Sequence, residues 1–182
     1  MKQRGPWRVL RETDVYADPW IRVQKDDVLR PDGHPGTYTV VHLKSGVSVL
    51  AMDDAGSVYL TEEFHYGVDR VTLEVASGGI EIGEDALQTA RRELEEELGI
   101  SANRWTLLGV CDPFTASVVS PTHLYLAQEL MFGIPQPEGT EQIRCVGLPL
   151  EEAVERVLDG RITHAPSCLA ILMTAWRRGA PR

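Results

Sequence analysis

The sequence has only three cysteines, Cys111, Cys145 and Cys168, and no two of them form a CxxC pair. So few scattered cysteines exclude a disulfide framework or a zinc knuckle and favour buried free thiols in a reducing compartment. The chain also lacks any stretch near the roughly 20 apolar residues that a membrane helix needs. Its N-terminus lacks the apolar run of a signal peptide. We therefore expect a soluble cytoplasmic protein.

Basic residues are scarce: 18 lysines and arginines stand against 27 acidic residues, for a net charge of −9. This balance excludes nonspecific nucleic-acid binding, which needs a basic surface to displace counterions. It also argues against adhesion to anionic membranes. An acidic protein can still act on an anionic substrate if a bound metal ion inverts the local field.

The first third of the chain has the pattern of β-strands. Alternating and β-branched segments fill residues 7–70, and Val71–Ala76 predicts another strand, broken by the following glycine pair. In this region alternation predicts that at least one of Phe64 and Tyr66 is in the core. We divide the chain into an N-terminal antiparallel β segment, residues 1–44, and a main domain, residues 45–182.

Helical periodicity begins at Glu84. Leu87, Ala90, Leu94 and Leu98 recur at spacings of three and four, which predicts an amphipathic helix that ends at Gly99. Two helices follow near the C-terminus, one with Leu150, Val154, Val157 and Leu158 on its apolar face, and a last one that is apolar enough to be mostly buried. Strands with one helix inserted and two at the end predict an α/β fold with a mixed sheet covered by helices.

Three glutamates gather on the first of these helices. Glu93, Glu96 and Glu97 fall within an arc of roughly 100° beside the apolar stripe. Since like charges four residues apart repel, the cluster needs a counter-charge. Carboxylate oxygens suit Mg²⁺, which keeps several waters and is completed by substrate phosphates. The cluster predicts metal-assisted chemistry on a phosphate ester or anhydride; a solvated face satisfied by Arg91 and Arg92 is the alternative.

The spacing of nine residues decides between these alternatives. They follow the pattern G-x5-E-x7-R-E-U-x-E-E-x-G-U, with U a bulky aliphatic residue, at Gly78, Glu84, Arg92, Glu93, Leu94, Glu96, Glu97, Gly99 and Ile100. This pattern is the Nudix box, and the chain resembles the Nudix hydrolases. LEVASGGIEIGE and PLEEAVERVLDGRITHAPSCLAIL are similar to segments of ADP-ribose pyrophosphatases and nucleoside-diphosphate-sugar hydrolases.

The resemblance implies a fold and a reaction. The fold is the Nudix α/β/α sandwich with a mixed β-sheet, and the reaction is metal-dependent hydrolysis of a nucleoside diphosphate linked to another moiety. The cofactor implied is Mg²⁺, with Mn²⁺ as a possible substitute. A nucleoside diphosphate derivative such as ADP-ribose is the substrate, and water attack on the diphosphate releases a nucleoside monophosphate.

The resemblance also assigns roles by motif position. Glu93 and Glu97 are the principal metal ligands, Glu96 is a ligand directly or through water, and the carbonyl of Ser77 is a backbone ligand. Arg92 orients these glutamates. The resemblance also implies structural residues in the box: Glu84 braces the loop by a salt bridge to Arg92, while Gly78 and Gly99 allow the backbone path.

The general base is left open between three glutamates. In members similar to ADP-ribose pyrophosphatase, a glutamate on the loop before the last strand often serves, which here leaves Glu138 and Glu141. Glu96 is an alternative within the box. For each of the two loop glutamates, an ordinary solvated surface residue fits the sequence as well as a catalytic base does.

Substrate contacts are expected before the box, where the sequence departs from the ADP-ribose hydrolases. Thr61–Tyr66 reads TEEFHY where these relatives tend to read VRQYRY, so Glu62 and His65 replace two arginines. His65 is a candidate phosphate-side donor, with a structural role as the alternative. Tyr66 is a candidate for stacking on a base. The backbone of Gly79 and the side chain of Arg70 complete the substrate-binding set.

Two other functions remain as alternatives. One is hydrolysis of another diphosphate, such as a dinucleotide, FAD or a nucleoside triphosphate. The other is a non-catalytic Nudix module that senses a nucleotide, which the intact box disfavours. We expect a homodimer, because the N-terminal β segment, which carries Trp7 and Trp20, often forms an intersubunit sheet in such relatives.

Overall fold

The fold consists of twelve strands and three helices in the part of the chain that the computed structural model describes, residues 2–137, 139 and 142–179. The strands are β1 Lys2–Arg4, β2 Trp7–Ala17, β3 Ile21–Leu29, β4 Pro35–Leu43, β5 Gly46–Met52, β6 Ser57–His65, β7 Arg70–Glu74, β8 Ala76–Gly79, β9 Ile100–Cys111, β10 Val118–Val119, β11 Thr122–Phe132 and β12 Arg144–Pro149. The helices are α1 Ala86–Leu98, α2 Leu150–Leu158 and α3 Ala165–Gly179. No helix in these ranges is long and apolar enough to cross a membrane.

The chain divides into two compact units, and the first comprises residues 1–44 and 112–121. Its sheet has the order β1-β2-β3-β4-β10, in which β1 to β4 pair antiparallel and β10 pairs parallel with β4. Val9, Val28 and Val40 are buried in this unit. The indole of Trp7 packs edge-on against Tyr38, with ring centroids 5.3 Å apart.

The second unit comprises residues 45–111 and 122–182 and contains the seven-stranded sheet. Its main order is β12-β6-β5-β11-β9, with β7 beside β6 and β8 beside β5. The central pair, β5 and β11, is parallel, and the other pairs are antiparallel. The sheet is therefore mixed, as the sequence predicts.

Alternate side chains of the central strands face two separate cores. On β5, Val47, Val49 and Ala51 pack against α1, whereas Leu50 and Met52 belong to the core covered by α2 and α3. Successive residues of a strand point to opposite faces of a sheet, so each face needs its own helical cover. The predicted α/β/α sandwich is confirmed.

Both ends of α1 are capped by the residues beside it. The carboxylate of Asp85 accepts hydrogen bonds from the backbone N–H groups of Leu87 and Gln88, and the Gln88 side chain accepts one from the Asp85 N–H. This is a capping box. Gly99 ends the helix in the left-handed conformation, with φ of 63°. The predicted stop at Gly99 is confirmed, and glycine adopts this conformation without a Cβ penalty.

Three expectations about strands and helices are wrong. Val71–Ala76 is not one strand, because β7 pairs with β6 and β8 with β5, and the glycine pair lies inside β8. The last helix is not mostly buried, because it packs through one face and leaves Trp176 77% exposed. Leu158, at the end of α2, is 75% exposed instead of facing the core.

Two expectations about burial are also wrong. Neither Phe64 nor Tyr66 is in the core: their exposed fractions are 52% and 95%, because β6 ends at His65 and the chain turns away there. The three cysteines are free, as expected, but none is buried. The sequence pattern misses these cases because it does not show where a strand leaves the packed layer.

Candidate active site

Helix α1 presents its acidic residues beside the core rather than opposite it. Leu94 and Leu98 are buried in the core between α1 and the sheet. Glu97, beside them on the helix, is also buried, with 9% of its surface exposed. Glu95 is exposed, as expected from its position on the helix. The amphipathic pattern therefore sets the direction of the carboxylates.

Arg92 is the centre of the cluster. Its Nε lies 3.0 Å from Oε1 of Glu84, and its Nη2 lies 3.1 Å from the other oxygen of the same carboxylate. Its Nη1 lies 2.8 Å from Oε1 of Glu93 and 3.0 Å from Oε2 of Glu96. Nη2 also donates to the carbonyl of Gly79, at 3.3 Å. One guanidinium thus contacts three carboxylates and the backbone of Gly79 in β8.

Glu84 is held from two sides. Besides the two bonds from Arg92, it accepts a hydrogen bond of 2.8 Å from the hydroxyl of Thr89. The hydrogen bond from Arg92 is the largest cause that lowers the pKa of Glu84 to about 2, and the bond from Thr89 adds to it. In turn, the hydrogen bond to Glu84 raises the pKa of Arg92. Both groups stay charged throughout the physiological range.

The absence of a side chain at Gly78 makes room for Glu93. A Cβ placed on Gly78 would lie 1.9 Å from Oε1 of Glu93, closer than any contact between non-bonded atoms. Strand β8 therefore approaches the helix directly at the carboxylate. A glycine is needed here because of this close approach.

The backbone of Ser77 contacts the buried glutamate. Its N–H donates to Oε2 of Glu97 over 3.3 Å, and its hydroxyl donates to the carbonyl of Val75 over 2.8 Å. The hydroxyl of Ser48, on the neighbouring strand, lies 2.9 Å from the Ser77 hydroxyl. The pairing of β8 with β5 thus holds the backbone of Ser77 beside Glu97. These are two of the residues that the resemblance assigns to the metal site.

The donors of this cluster suit a hard divalent cation. Arg92 supplies one positive charge against the carboxylates of Glu84, Glu93 and Glu96, with Glu97 on the next position of the helix. An all-oxygen donor set of this kind is what Mg²⁺ or Mn²⁺ binds. No three His, Cys, Asp or Glu side chains among the described residues form a ready metal cage. Mg²⁺ needs no such cage, because waters and substrate phosphates complete its coordination.

The predicted substrate residues are dispersed. Gly79 lies at the cluster, through its bond from Arg92. His65 lies at the end of β6, where its Nε2 is 3.4 Å from Oε1 of Glu74. Arg70, at the start of β7, donates to the hydroxyl of Thr163 over 2.9 Å. Tyr66 lies almost fully exposed in the turn between these strands. The structure thus brings one of the four to the carboxylates, and the other three lie on the β6–β7 hairpin.

The sequence did not reveal a second polar cluster centred on Glu74. Nδ1 of His164 lies 3.0 Å from Oε2 of Glu74 and 2.8 Å from the hydroxyl of Ser167. Thr72 donates to the same carboxylate over 2.7 Å. Burial raises the pKa of Glu74, but the hydrogen bond and charge of His164 bring it below its ordinary value. Since His164 is 90 residues away from Glu74 in the chain, no local pattern predicts the pair.

The remaining residues from the sequence analysis are the two loop glutamates and Glu62. Glu138 and Glu141, the loop candidates for the base, lie outside the described residues. Glu62, which replaces an arginine of the relatives, forms a bidentate ion pair with Arg144, whose Nη2 lies 2.6 Å and 2.7 Å from its two oxygens. The capping box of α1 was not predicted from the sequence, although Asp85 followed by Gln88 three residues later is the signal that could have shown it.

Comparison with known proteins gives matches over nearly the whole chain. Residues 42–167 match the NUDIX domain, and residues 7–41 match the nucleoside diphosphate sugar hydrolase N-terminal domain. The chain is 31% identical over 161 residues to an ADP-ribose pyrophosphatase of Mycobacterium tuberculosis, covering 87% of this chain and 78% of that protein. It is 26% identical over 171 residues to the methanol dehydrogenase activator of Bacillus methanolicus, covering 90% of each.

A solved structure has a similar fold. The crystal structure of an ADP compounds hydrolase superposes with a TM-score of 0.83 and covers 98% of each chain. The sequence identity is 22%, so this likeness concerns the fold.

Proposed function

This chain belongs to the Nudix family of pyrophosphohydrolases, and from that premise we propose that it hydrolyses ADP-ribose or a similar nucleoside diphosphate linked to a sugar. Water attacks one phosphorus of the diphosphate, and the bond from that phosphorus to the bridging oxygen breaks. The products are a nucleoside monophosphate and the phosphate of the other moiety. The charge on the transferred group must be neutralised for this to occur.

The carboxylate cluster around Arg92 carries this proposal. Three of its members, Glu93, Glu96 and Glu97, are on one helix, and Arg92 contacts the first two at 2.8 Å and 3.0 Å. These carboxylates offer an all-oxygen set of donors beside Ser77, whose N–H donates to Glu97. A divalent cation suits such donors, and a diphosphate substrate completes its coordination.

We assign Mg²⁺, or Mn²⁺ in its place, to Glu93, Glu97 and the Ser77 carbonyl, with Glu96 as a further ligand. When bound, the metal neutralises the diphosphate and polarises it toward attack. Arg92 holds Glu93 and Glu96 in place, and Glu84 in turn holds Arg92. Residues that hydrogen-bond to metal ligands fix the orientation of those ligands, and their loss typically lowers metal affinity or activity about 10–100-fold.

The attacking water must lose a proton to a base. We keep three candidates: Glu96 in the box, and Glu138 and Glu141 on the following loop. Glu96 lies at the cluster, where its Oε2 accepts a hydrogen bond of 3.0 Å from Nη1 of Arg92. Each glutamate is replaced by glutamine in turn, and the rate is measured as a function of pH. Only replacement of the base should abolish the fall in rate that its protonation causes at low pH.

The name of the Mycobacterium tuberculosis relative supports ADP-ribose as the first substrate to test. The β6–β7 hairpin differs from the ADP-ribose hydrolase pattern, since Glu62 and His65 stand where arginines are expected. Both are paired within the chain, to Arg144 and Glu74. We propose that His65, Tyr66, Arg70 and the Gly79 backbone contact the substrate, with Tyr66 available for stacking because 95% of its surface is exposed.

The experiment is a substrate panel read by product chromatography. Purified protein is incubated with Mg²⁺ or Mn²⁺ and ADP-ribose, nucleoside-diphosphate sugars, dinucleotides, FAD and nucleoside triphosphates. The proposal expects monophosphate release, fastest from ADP-ribose or a nucleoside-diphosphate sugar. Faster hydrolysis of another diphosphate would replace the substrate assignment. Binding without turnover across the panel would instead identify a nucleotide sensor.

We also propose that residues 1–44 act as a dimerisation arm for the hydrolase domain, residues 45–182. Exposed apolar side chains on and beside β2 support this proposal: the exposed fractions are 47% for Leu10, 53% for Tyr16 and 69% for Trp20. Apolar residues at such exposure favour burial against a partner. Light scattering on the whole chain distinguishes a dimer from a monomer.

A further inference from the structure

Gly99 is in close contact with a second segment of chain. Apart from ending α1, it lies against the residues that follow β11. A Cβ built on Gly99 would lie 2.6 Å from the backbone nitrogen of Pro135, 2.8 Å from the carbonyl carbon of Ile134 and 3.0 Å from the carbonyl oxygen of Gly133. All three atoms are backbone, so the clash cannot be relieved by a side-chain rotation.

Hydrogen bonds hold the same segment to the end of the helix. The N–H of Gly133 donates to the carbonyl of Gly99 over 2.6 Å, and the N–H of Gln136 donates to the carbonyl of Glu96 over 2.8 Å. The last carbonyls of a helix have no partner within it. Residues 133–136 supply one, so this segment, which we name the docking segment, completes the helix end.

The docking segment also borders two residues of the carboxylate cluster. Ile134 and Gln136 line a cavity of about 430 Å³ together with Arg92 and Glu96. The wall formed by the docking segment is thus beside two residues of the carboxylate cluster. The contact with Gly99 lies on the buried side of the helix end, since Gly99 itself is buried.

We infer that Gly99 is a positioning residue: its bare Cα lets the docking segment bond to the last turn of α1 and so fixes the cavity wall beside Arg92 and Glu96. This inference rests on the proposed function for its effect on turnover. The helix-capping role of Gly99 is separate, because it needs only the left-handed conformation. The docking role needs, in addition, the space that a Cβ would fill.

Gly160 provides the matched control. It also follows a helix, α2, with a positive φ of 80°, but a Cβ at this position meets no atom within 4 Å. Alanine at Gly160 therefore introduces the left-handed strain alone, whereas alanine at Gly99 introduces that strain together with the clash. Comparing Gly99→Ala with Gly160→Ala isolates the contact with the docking segment.

The experiment measures hydrogen exchange and turnover on the whole chain. In the wild type, the amides of Gly133 and Gln136 should be protected like the Gly99 amide at the helix end. In Gly99→Ala they should exchange about tenfold faster or more, and kcat should fall about tenfold or more at similar KM, since small displacements near reacting groups have effects of this size or larger. Gly160→Ala should leave both unchanged after correction for the folded fraction.

Three results would overturn the inference. The first is fast exchange of Gly133 and Gln136 in the wild type, which needs no variant and is decisive even if Gly99→Ala fails to fold. The second is unchanged exchange in Gly99→Ala. The third is faster exchange with unchanged kcat. A wild type without turnover would contradict the proposed function instead, and the exchange data would still decide whether the segment docks at Gly99.

Discussion

The guanidinium of Arg92 and the carboxylate of Glu84 form two hydrogen bonds, 3.0 Å from Nε to Oε1 and 3.1 Å from Nη2 to Oε2. The pair joins the loop before α1 to the helix face eight residues later. Nη1 of the same guanidinium contacts Glu93 and Glu96, so Arg92 holds both the loop before α1 and the proposed metal ligands.

This geometry predicts the effect of Arg92→Lys. An ammonium group keeps the charge but cannot form the fork that reaches Glu84 and the two helix carboxylates together. We expect Mg²⁺-dependent turnover to fall about 10–100-fold, as for other partners of metal ligands. A magnesium titration of the rate should show weaker apparent affinity. Arg104→Lys, which alters the exposed pair between Arg104 on β9 and Glu129 on β11, is the control and should match the wild type.

The lowered pKa of Glu84 predicts a pH dependence of stability. Its pKa falls from 4.5 to about 2 on folding, chiefly through the bond from Arg92. A depressed folded-state pKa gives stability that is full above 4.5 and is lost as pH falls toward 2. Thermal unfolding should therefore show Glu84→Gln less stable than the wild type at pH 7, with the difference shrinking below pH 4.5. A difference that is constant or grows on acidification would contradict the ion pair.

The close approach at Gly78 predicts that Gly78→Ala displaces Glu93. The new Cβ would lie 1.9 Å from Oε1 of Glu93, so the carboxylate must leave its position. We expect loss of most Mg²⁺-dependent activity, by about 100-fold, with circular dichroism that matches the wild type. Gly179→Ala, where the added Cβ meets nothing within 4 Å, is the matched control. Equal activities for the two variants would show that Glu93 does not need this space.

The bidentate pair between Glu62 and Arg144 predicts a structural role for Glu62. The pair joins β6 to β12, and its side chains are 34% and 68% exposed. Glu62→Gln should therefore cost only about 0.5–1 kcal/mol of stability, since solvent screens such pairs. The charge swap Glu62→Arg with Arg144→Glu should recover part of this loss in urea unfolding. If Glu62→Gln instead changes KM for the substrate, Glu62 acts on the ligand.

The site could be predicted from the sequence where its information is local. The residues of the box lie within 23 positions, and helical periodicity places Glu93, Glu96 and Glu97 on one side of α1. The cap at Gly99 is equally local. The structure adds what the Nudix box alone does not state, namely that Arg92 bonds to three carboxylates at once and that Thr89 helps to hold Glu84.

The rest depends on contacts between distant parts of the chain. The parallel pairing of β5 with β11 joins residues that are more than 70 positions apart. The ion pair of Glu74 with His164 and the docking of residues 133–136 at Gly99 also arise only from the assembled sheet and helices. Phe64, Tyr66 and Trp176 are exposed because local hydrophobic patterns do not show where an element leaves its packed layer.

We propose that hydrolysis of the diphosphate requires a divalent cation held by the α1 glutamates. The most direct test compares Mg²⁺-dependent monophosphate release by the wild type, Glu97→Gln and Glu155→Gln, an exposed glutamate on α2. We expect Glu97→Gln to lose more than about 100-fold in turnover, which exceeds the loss typical of residues that only orient metal ligands. We expect wild-type rates for Glu155→Gln and folded protein in both. Wild-type turnover by folded Glu97→Gln would contradict the proposal.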